Sequence, residues 1–352
     1  MPTTDPRSPD WSSVRTVDYH TAGEPFRIVE HPPVPLPGTD VPDRRERALA
    51  DPDVEFLRQF LCYEPRGHAD MYGGFVVPAN EVGPGEEPAH FGVLFWHKDG
   101  FSTACGHGTI ALGVWAVDTG RVAAPEDGSV DVLIDVPSGR VRATVHRSGG
   151  LTTGVDFVNV PSRVVARDLK VETSRGMVDV TLTFGGALYA SVRAGDLGLR
   201  VSPDDVTALI EVGREIKWAA NELPEAVHPT DDRLSGVYGT ILHEDLGTDP
   251  DGNPVQRNVT VFADGEVDRS PCGSGSCARA AVLVQDGVLT PGRTLRHRSI
   301  VDSQFDVSVR DTIDGPFGPE VVVAVTGHAH RTGVHEFVLD RTDAIAPGFV
   351  LR

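Results

Sequence analysis

Short apolar runs broken by turn residues dominate this chain. Gly74 to Val77, Gly92 to Trp96, Val130 to Val136, Val141 to Val145 and Val155 to Val160 read as strands, the later ones divided by Pro-Ser-Gly and Ser-Gly-Gly turns. A second series follows at Gly176 to Phe184, Leu188 to Val192, Val237 to Leu242, Asn258 to Phe262, Val307 to Val309 and Val321 to Val325. Helical spacing replaces alternation over Arg45 to Phe60, where Ala48, Val54, Leu57, Phe60 and Leu61 share a face, and over Asp204 to Asn221, with Leu209, Ile210, Val212, Ile216 and Ala219 as the inner stripe. Two further helices are predicted over Thr109 to Asp118 and Ser276 to Asp286. Residues 1–13 read as a mobile tail, and Pro32 to Asp43, with its prolines and glycine, as a loop.

Those two further helices open the same way. Cys105-Gly106-His107-Gly108 returns as Cys272-Gly273-Ser274-Gly275, offset by 167 residues in a chain of 352. Each copy follows an apolar run and an Asp-Gly turn, Val93 to Trp96 before Asp99-Gly100 and Val259 to Phe262 before Asp264-Gly265. The repeated unit is strand, turn, Cys-Gly-x-Gly, helix. The expected organisation is therefore α/β (α+β), with a first domain over 14–160 closed by 334–352, and a second over 161–333 that carries Cys272. The boundaries are expected near Pro161 and Gly333.

A cysteine at a helix mouth sits among unpaired backbone N–H groups at the positive end of the helix dipole, which favours thiolate over thiol. The same amides form a cradle for an anion such as a carboxylate. If the halves pack about a pseudo-twofold axis, two thiols face each other across one cleft, and one can take a proton while the other returns one. Retention of cysteine at the same place in both copies, where other positions have drifted, favours chemistry over packing.

Composition narrows the partners. A formal net charge of −19 with no basic cluster argues against a nucleic-acid backbone or an anionic membrane surface, and no stretch is apolar enough to span a bilayer. A cytoplasmic location is expected. Four cysteines are too few for a disulfide scaffold, and the five-residue spacing of Cys272 and Cys277 does not suit a zinc knuckle. Cys62 and Cys277 are expected to pack as small buried residues. His328 and His330 alternate on a strand but lack a third ligand nearby, so no metal is assigned. A redox-sensing or zinc-binding module built on the same cysteines is the rival from another class.

Four ordered blocks carry a family resemblance. Val17-Asp18-Tyr19-His20-Thr21-Ala22-Gly23-Glu24-Pro25, Glu64-Pro65-Arg66-Gly67-His68-Ala69-Asp70-Met71, Phe101 to His107, and Asp268-Arg269-Ser270-Pro271-Cys272-Gly273 resemble the signatures of the proline racemase family. That family includes proline racemases, hydroxyproline epimerases and trans-3-hydroxy-L-proline dehydratases. The resemblance implies two pseudo-symmetric domains, each a curled sheet or barrel around a central helix in a diaminopimelate-epimerase-like arrangement, with the active site in the interdomain cleft.

It also implies cofactor-independent inversion at the α-carbon of proline or a hydroxyproline, with Cys105 and Cys272 as the two acid/base groups. Gly106, His107, Asp268, Gly273 and Ser274 would bind the substrate, His107 and Asp268 at the ring nitrogen. His20 and His68 would hold loops near the cleft. The expected partner is a small molecule, and a homodimer is compatible with this reading. Gly185-Gly186-Ala187 and Val237 to Thr240 look more like the dehydratase branch, whereas that branch usually has Thr where this chain has Cys272. Dehydration of trans-3-hydroxy-L-proline in the same cleft is therefore the alternative.

Overall fold

The computed structural model describes residues 9–351. The first half contains β1 (Ser13–Thr21), β2 (Glu24–Val29), α1 (Val41–Ala50), α2 (Pro52–Cys62), β3 (Tyr72–Val77), β4 (Phe91–His97), β5 (Gly100–Phe101), α3 (Gly106–Asp118), β6 (Gly128–Val136), β7 (Gly139–Ser148) and β8 (Leu151–Val158). The second contains β9 (Arg163–Thr173), β10 (Gly176–Phe184), β11 (Leu188–Arg193), α4 (Val206–Asn221), β12 (Val237–Thr248), β13 (Pro254–Phe262), β14 (Glu266–Val267), α5 (Gly273–Gln285), β15 (Thr294–Arg298), β16 (Gln304–Gly315) and β17 (Gly318–Gly327). A last strand, β18 (Ala329–Val338), runs back along the whole of β1.

The halves repeat each other pairing for pairing. In the first, β2 lies parallel to β3, β3 antiparallel to β4, and β4 parallel to β6, which continues through β7 to β8. In the second, β11 lies parallel to β12, β12 antiparallel to β13, and β13 parallel to β15, which continues through β16 to β17. The equivalent strands β8 and β17 pair with each other, Val158 against Ala324 and Val155 against Gly327. That pairing joins the halves across the pseudo-twofold axis, and the result is a mixed α/β protein in which one large curled sheet of 18 strands is built from two similar halves.

Each half wraps its sheet around one helix. α3 has no polar face: Ile110, Ala111, Leu112, Trp115 and Ala116 are all fully buried, as a helix enclosed on every side requires. Burying an indole such as Trp115 removes roughly 200 Å² of surface and contributes on the order of 5 kcal/mol. α5 is built the same way, with Cys277, Ala278 and Ala280 at zero exposure. Cys277 therefore packs in the core, as does Cys62 on α2.

Four local expectations need revision. The stretch from Arg45 to Phe60 is two helices, because Asp51 leaves helical geometry, caps the amides of Asp53 and Val54, and is followed by Pro52 at the first position of α2. α1 also starts earlier than the proline-rich loop suggested, at Val41 behind the Asp40 cap. Of the tail expected over 1–13, residues 1–8 lie outside the described residues, while Trp11 is buried edge-on against Phe60 and Ser13 opens β1. The return was expected near Gly333, whereas β18, which pairs with β1, starts at Ala329 and has Gly333 mid-strand opposite Asp18, beside a bulge. Among the described residues, no helix is long and apolar enough to cross a membrane.

Candidate active site

The two Cys-Gly turns meet at the axis. A Cβ placed on Gly106 would lie 2.5 Å from the Cα of Gly273, and a Cβ on Gly273 would lie 2.5 Å from the Cα of Gly106. Only glycine at both positions lets the mouths of α3 and α5 approach so closely. Each cysteine is the N-cap of its helix: the Cys105 sulfur accepts from the Gly108 amide at 3.2 Å, and the Cys272 sulfur from the Gly275 amide at 3.3 Å. The amides of Gly106, His107, Gly273 and Ser274 lie in first turns, where no intrahelical acceptor exists, and they are left for a ligand.

Cys105, Gly106, His107, Asp268, Cys272 and Ser274 line one cavity, and Gly273 packs against the lining residue Gly106. All seven residues singled out in the sequence therefore come together. The cavity offers only about 10 Å³, room for about one water, so it has to widen to admit a ring-sized ligand.

The remaining wall comes from Ala104 and from residues that sequence reasoning missed as site residues: Tyr72, Tyr189, Tyr238, Thr260 and Phe262. Tyr72 and Tyr238 reach from opposite halves to join hydroxyls at 3.1 Å, and Tyr72 also bonds Ser102. The Tyr189 hydroxyl lies 2.7 Å from Ser274 Oγ and within hydrogen-bonding reach of Cys272. Their one signal was position, since all five lie on strands that feed or flank the Cys-Gly turns.

Other motif residues position the turns. Glu24, fully buried, accepts the Arg269 amide at 2.7 Å, and Arg269 pairs with Asp70 at 2.6 Å. Asp70 also accepts the Val267 amide at 3.0 Å, so the first and second blocks, both in the first half, hold the Asp268 loop of the second half. His20 and His68 accept local backbone amides, from Gly23 and Asp70. Gly186 has φ +89, and its carbonyl accepts from Thr103 at 2.9 Å; a side chain on Gly185 would meet the Ser274 carbonyl at 2.6 Å. That turn therefore props both helix mouths from behind.

Electrostatics overturn one expectation. The helix N-terminus was expected to favour thiolate, yet burial raises the Cys105 thiol well above its ordinary range, with Asp268, Cys272 and Glu24 adding to the effect against the Gly108 amide. Burial, then Asp268, also raises Cys272. In the closed cavity desolvation outweighs the dipole, and both groups are held as thiols. Burial likewise lifts Asp268 to about 6, against hydrogen bonds from Ser270, and drops His107 to about 3, leaving its imidazole neutral.

The two sulfurs are not equivalent. Cys272 sits at φ +64, a conformation that costs a non-glycine residue on the order of 1–3 kcal/mol and that clusters at active sites. Cys105 is extended, with φ −155, and lies 3.5 Å from the imidazole nitrogens of His107.

The family model described as proline racemase matches residues 16–350. The chain belongs to the proline racemase family. It is 42% identical over 344 residues to a trans-3-hydroxy-L-proline dehydratase of Burkholderia cenocepacia, covering 97% of this chain and 98% of that one. It is 41% identical over 344 residues, with the same coverage, to a 3-hydroxyproline 2-epimerase of Burkholderia multivorans. The structure matches that of a hydroxyproline epimerase from Agrobacterium vitis with bound trans-4-hydroxy-L-proline, at a TM-score of 0.86 and 29% identity over 98% of this chain and 97% of that one. Overall identity is therefore almost the same to an epimerase and to a dehydratase, and the choice between them falls to the site.

Proposed function

We propose that this protein is a cofactor-independent, two-thiol epimerase that inverts the α-carbon of 3-hydroxyproline. The observation that carries the reading is the pair Cys105 and Cys272, each capping its own helix on the wall of one cavity. Inversion from a single bound pose needs an acid/base group on each face of the carbon, whereas dehydration needs only one. The 3-hydroxy substrate rests on the likeness to relatives that act, by name, on 3-hydroxyproline.

In this mechanism the substrate carboxylate lies against the free amides of Gly106, His107, Gly273 and Ser274. The same amides stabilise the enediolate-like charge that develops as the α-proton leaves, each well-aimed donor contributing about 3–4 kcal/mol. The ring ammonium faces Asp268 and offsets the charge that helps to hold both thiols up. One sulfur loses its proton to solvent before the cleft closes and, as the thiolate, takes the α-proton on its face, while the other thiol delivers its own proton to the opposite face. The Cα–H bond breaks on one side and a new Cα–H bond forms on the other, so that the first sulfur ends as a thiol and the second as a thiolate. Closure of the tyrosine wall excludes water and strengthens these interactions.

Dehydration of trans-3-hydroxy-L-proline is the second reading, favoured by the Ala187 and Val237 to Thr240 neighbourhood. Both reactions start with the same proton removal. Incubation with trans-3-hydroxy-L-proline, followed by chiral chromatography and an o-aminobenzaldehyde assay, separates them. The epimerase reading expects cis-3-hydroxy-D-proline, and pyrroline without any D-configured product would overturn it.

A further inference from the structure

A second polar pocket lies further along the helix that begins at Cys272. Arg279 stands about 10 Å down α5 from that cysteine by helical rise and is only 4% exposed. Its hydrogen bonds to Gln256 are long, Nε and Nη2 each 3.4 Å from Oε1. Among the described residues no carboxylate forms an ion pair with it. The two acids nearby are engaged elsewhere, Asp245 with Arg193 at 2.5 Å and Asp286 with Arg167 at 3.0 Å.

His243 of β12, 8% exposed, lines the same pocket, and its Nδ1 has no hydrogen-bond partner. Burial, with Arg279 nearby, lowers His243 far enough to keep it neutral, and burial lowers Arg279 to about 10. The pocket offers about 430 Å³, within the range of small-molecule sites. Asp245 and Asp286 act on it only at a distance, and a buried guanidinium with no carboxylate in direct contact gains from an anion that joins it.

We propose that this pocket is a binding site for a small oxyanion, a carboxylate or phosphate group, held between the Arg279 guanidinium and Nδ1 of His243. The planar fork of arginine suits two oxygens of such a group, and the neutral imidazole supplies one further N–H in the tautomer protonated at Nδ1. Arg193 and Arg167, each paired with an acid at the rim, orient the approach, so the local charge favours an anion in a chain whose net charge is −19. The site is distinct from the thiol cavity, shares only α5 with it, and does not depend on which reaction the thiols perform.

The test is thermal denaturation and calorimetric titration of the full chain with inorganic phosphate and, separately, acetate, against chloride at constant ionic strength. A saturable stabilisation is expected that weakens at least tenfold in Arg279→Gln and measurably in the rim variant Arg193→Gln. A response to phosphate alone assigns the site to phosphate groups, and a response to both assigns it to oxyanions in general. Equal responses in wild type and Arg279→Gln, or no response to either anion, overturn the proposal. So does a change of oligomeric mass in Arg279→Gln without an anion response, which would make the pocket a subunit contact. Should Arg279→Gln fail to fold, the histidine ¹⁵N spectrum of the wild type decides: phosphate must move the His243 Nδ1 signal, and an unmoved signal overturns the site.

Discussion

Gly106 and Gly273 touch backbone to backbone, each where the other's side chain would have to be. The contact is reciprocal, so it lies on the pseudo-twofold axis, and it sets the separation of the two cysteines that precede these glycines. A methyl group on either residue must push the mouths of α3 and α5 apart. Gly106→Ala is expected to destabilise the protein by about 1–3 kcal/mol, the usual cost of overpacking. It should also lower turnover by more than tenfold, because a displacement of even 1 Å misplaces both thiols. Denaturant unfolding and a turnover assay check the two effects; unchanged stability and rate would remove the contact from the mechanism.

The thiols and Asp268 together set a pH dependence. Asp268 titrates near 6 and must be ionised to face the ring ammonium, so kcat/KM should fall as pH drops through about 6. Both cysteines are raised, so the population carrying one thiolate increases with pH, and kcat/KM should still be climbing above pH 8. The same shift makes labelling of both site cysteines by iodoacetate slow at pH 7 and faster at alkaline pH. A profile flat from pH 6 to 9 would contradict the closed, desolvated site.

How much of this was legible in the sequence depends on how far each feature reaches. The Cys-Gly repeat is local, and its register alone placed Cys105 against Cys272 and Gly106 against Gly273. β1 and β9 were not picked out as strands, because charged and polar residues on their outer faces interrupt the apolar alternation, as in Arg163 to Thr173. Tyr72, Tyr189 and Tyr238 reach the cavity from strands far apart in sequence, and only the folded twofold arrangement brings Tyr72 to Tyr238. The direction of the thiol shifts was misjudged for a similar reason. The helix mouth is visible in a motif, but the degree of burial is a property of two closed halves.

Tyr189 offers a test of the wall that the sequence did not reveal. Its hydroxyl bonds Ser274 Oγ at 2.7 Å and reaches Cys272, while its ring is fully buried. Tyr189→Phe keeps the ring and removes only the hydroxyl, so stability should change by about 1 kcal/mol or less, the net worth of a hydrogen bond. Turnover should fall roughly tenfold, because Cys272 and the Ser274 side of the carboxylate cradle lose a fixed neighbour. Thermal melts read the first effect and initial rates the second; a large stability loss with unchanged rate would make the hydroxyl purely structural.

Cys272→Thr is the substitution that separates the two reactions. Threonine is close in size to cysteine and can keep an oxygen near the Gly275 amide, but its hydroxyl cannot exchange a proton with carbon as a thiol does near neutral pH. If Cys272 serves one face of the α-carbon, inversion should fall by at least about 10³-fold, within the range of losses seen when a member of a catalytic set is removed. Exchange of the α-hydrogen with solvent deuterium on the face served by Cys105 should persist, because proton removal needs only that sulfur. Under the dehydratase reading the same variant keeps forming pyrroline from trans-3-hydroxy-L-proline at close to the wild-type rate, and Cys105→Ser abolishes it. Chiral chromatography, deuterium exchange followed by mass spectrometry, and the o-aminobenzaldehyde assay on the two variants give different patterns for the two readings. Retained inversion in Cys272→Thr would remove the second thiol from the mechanism altogether.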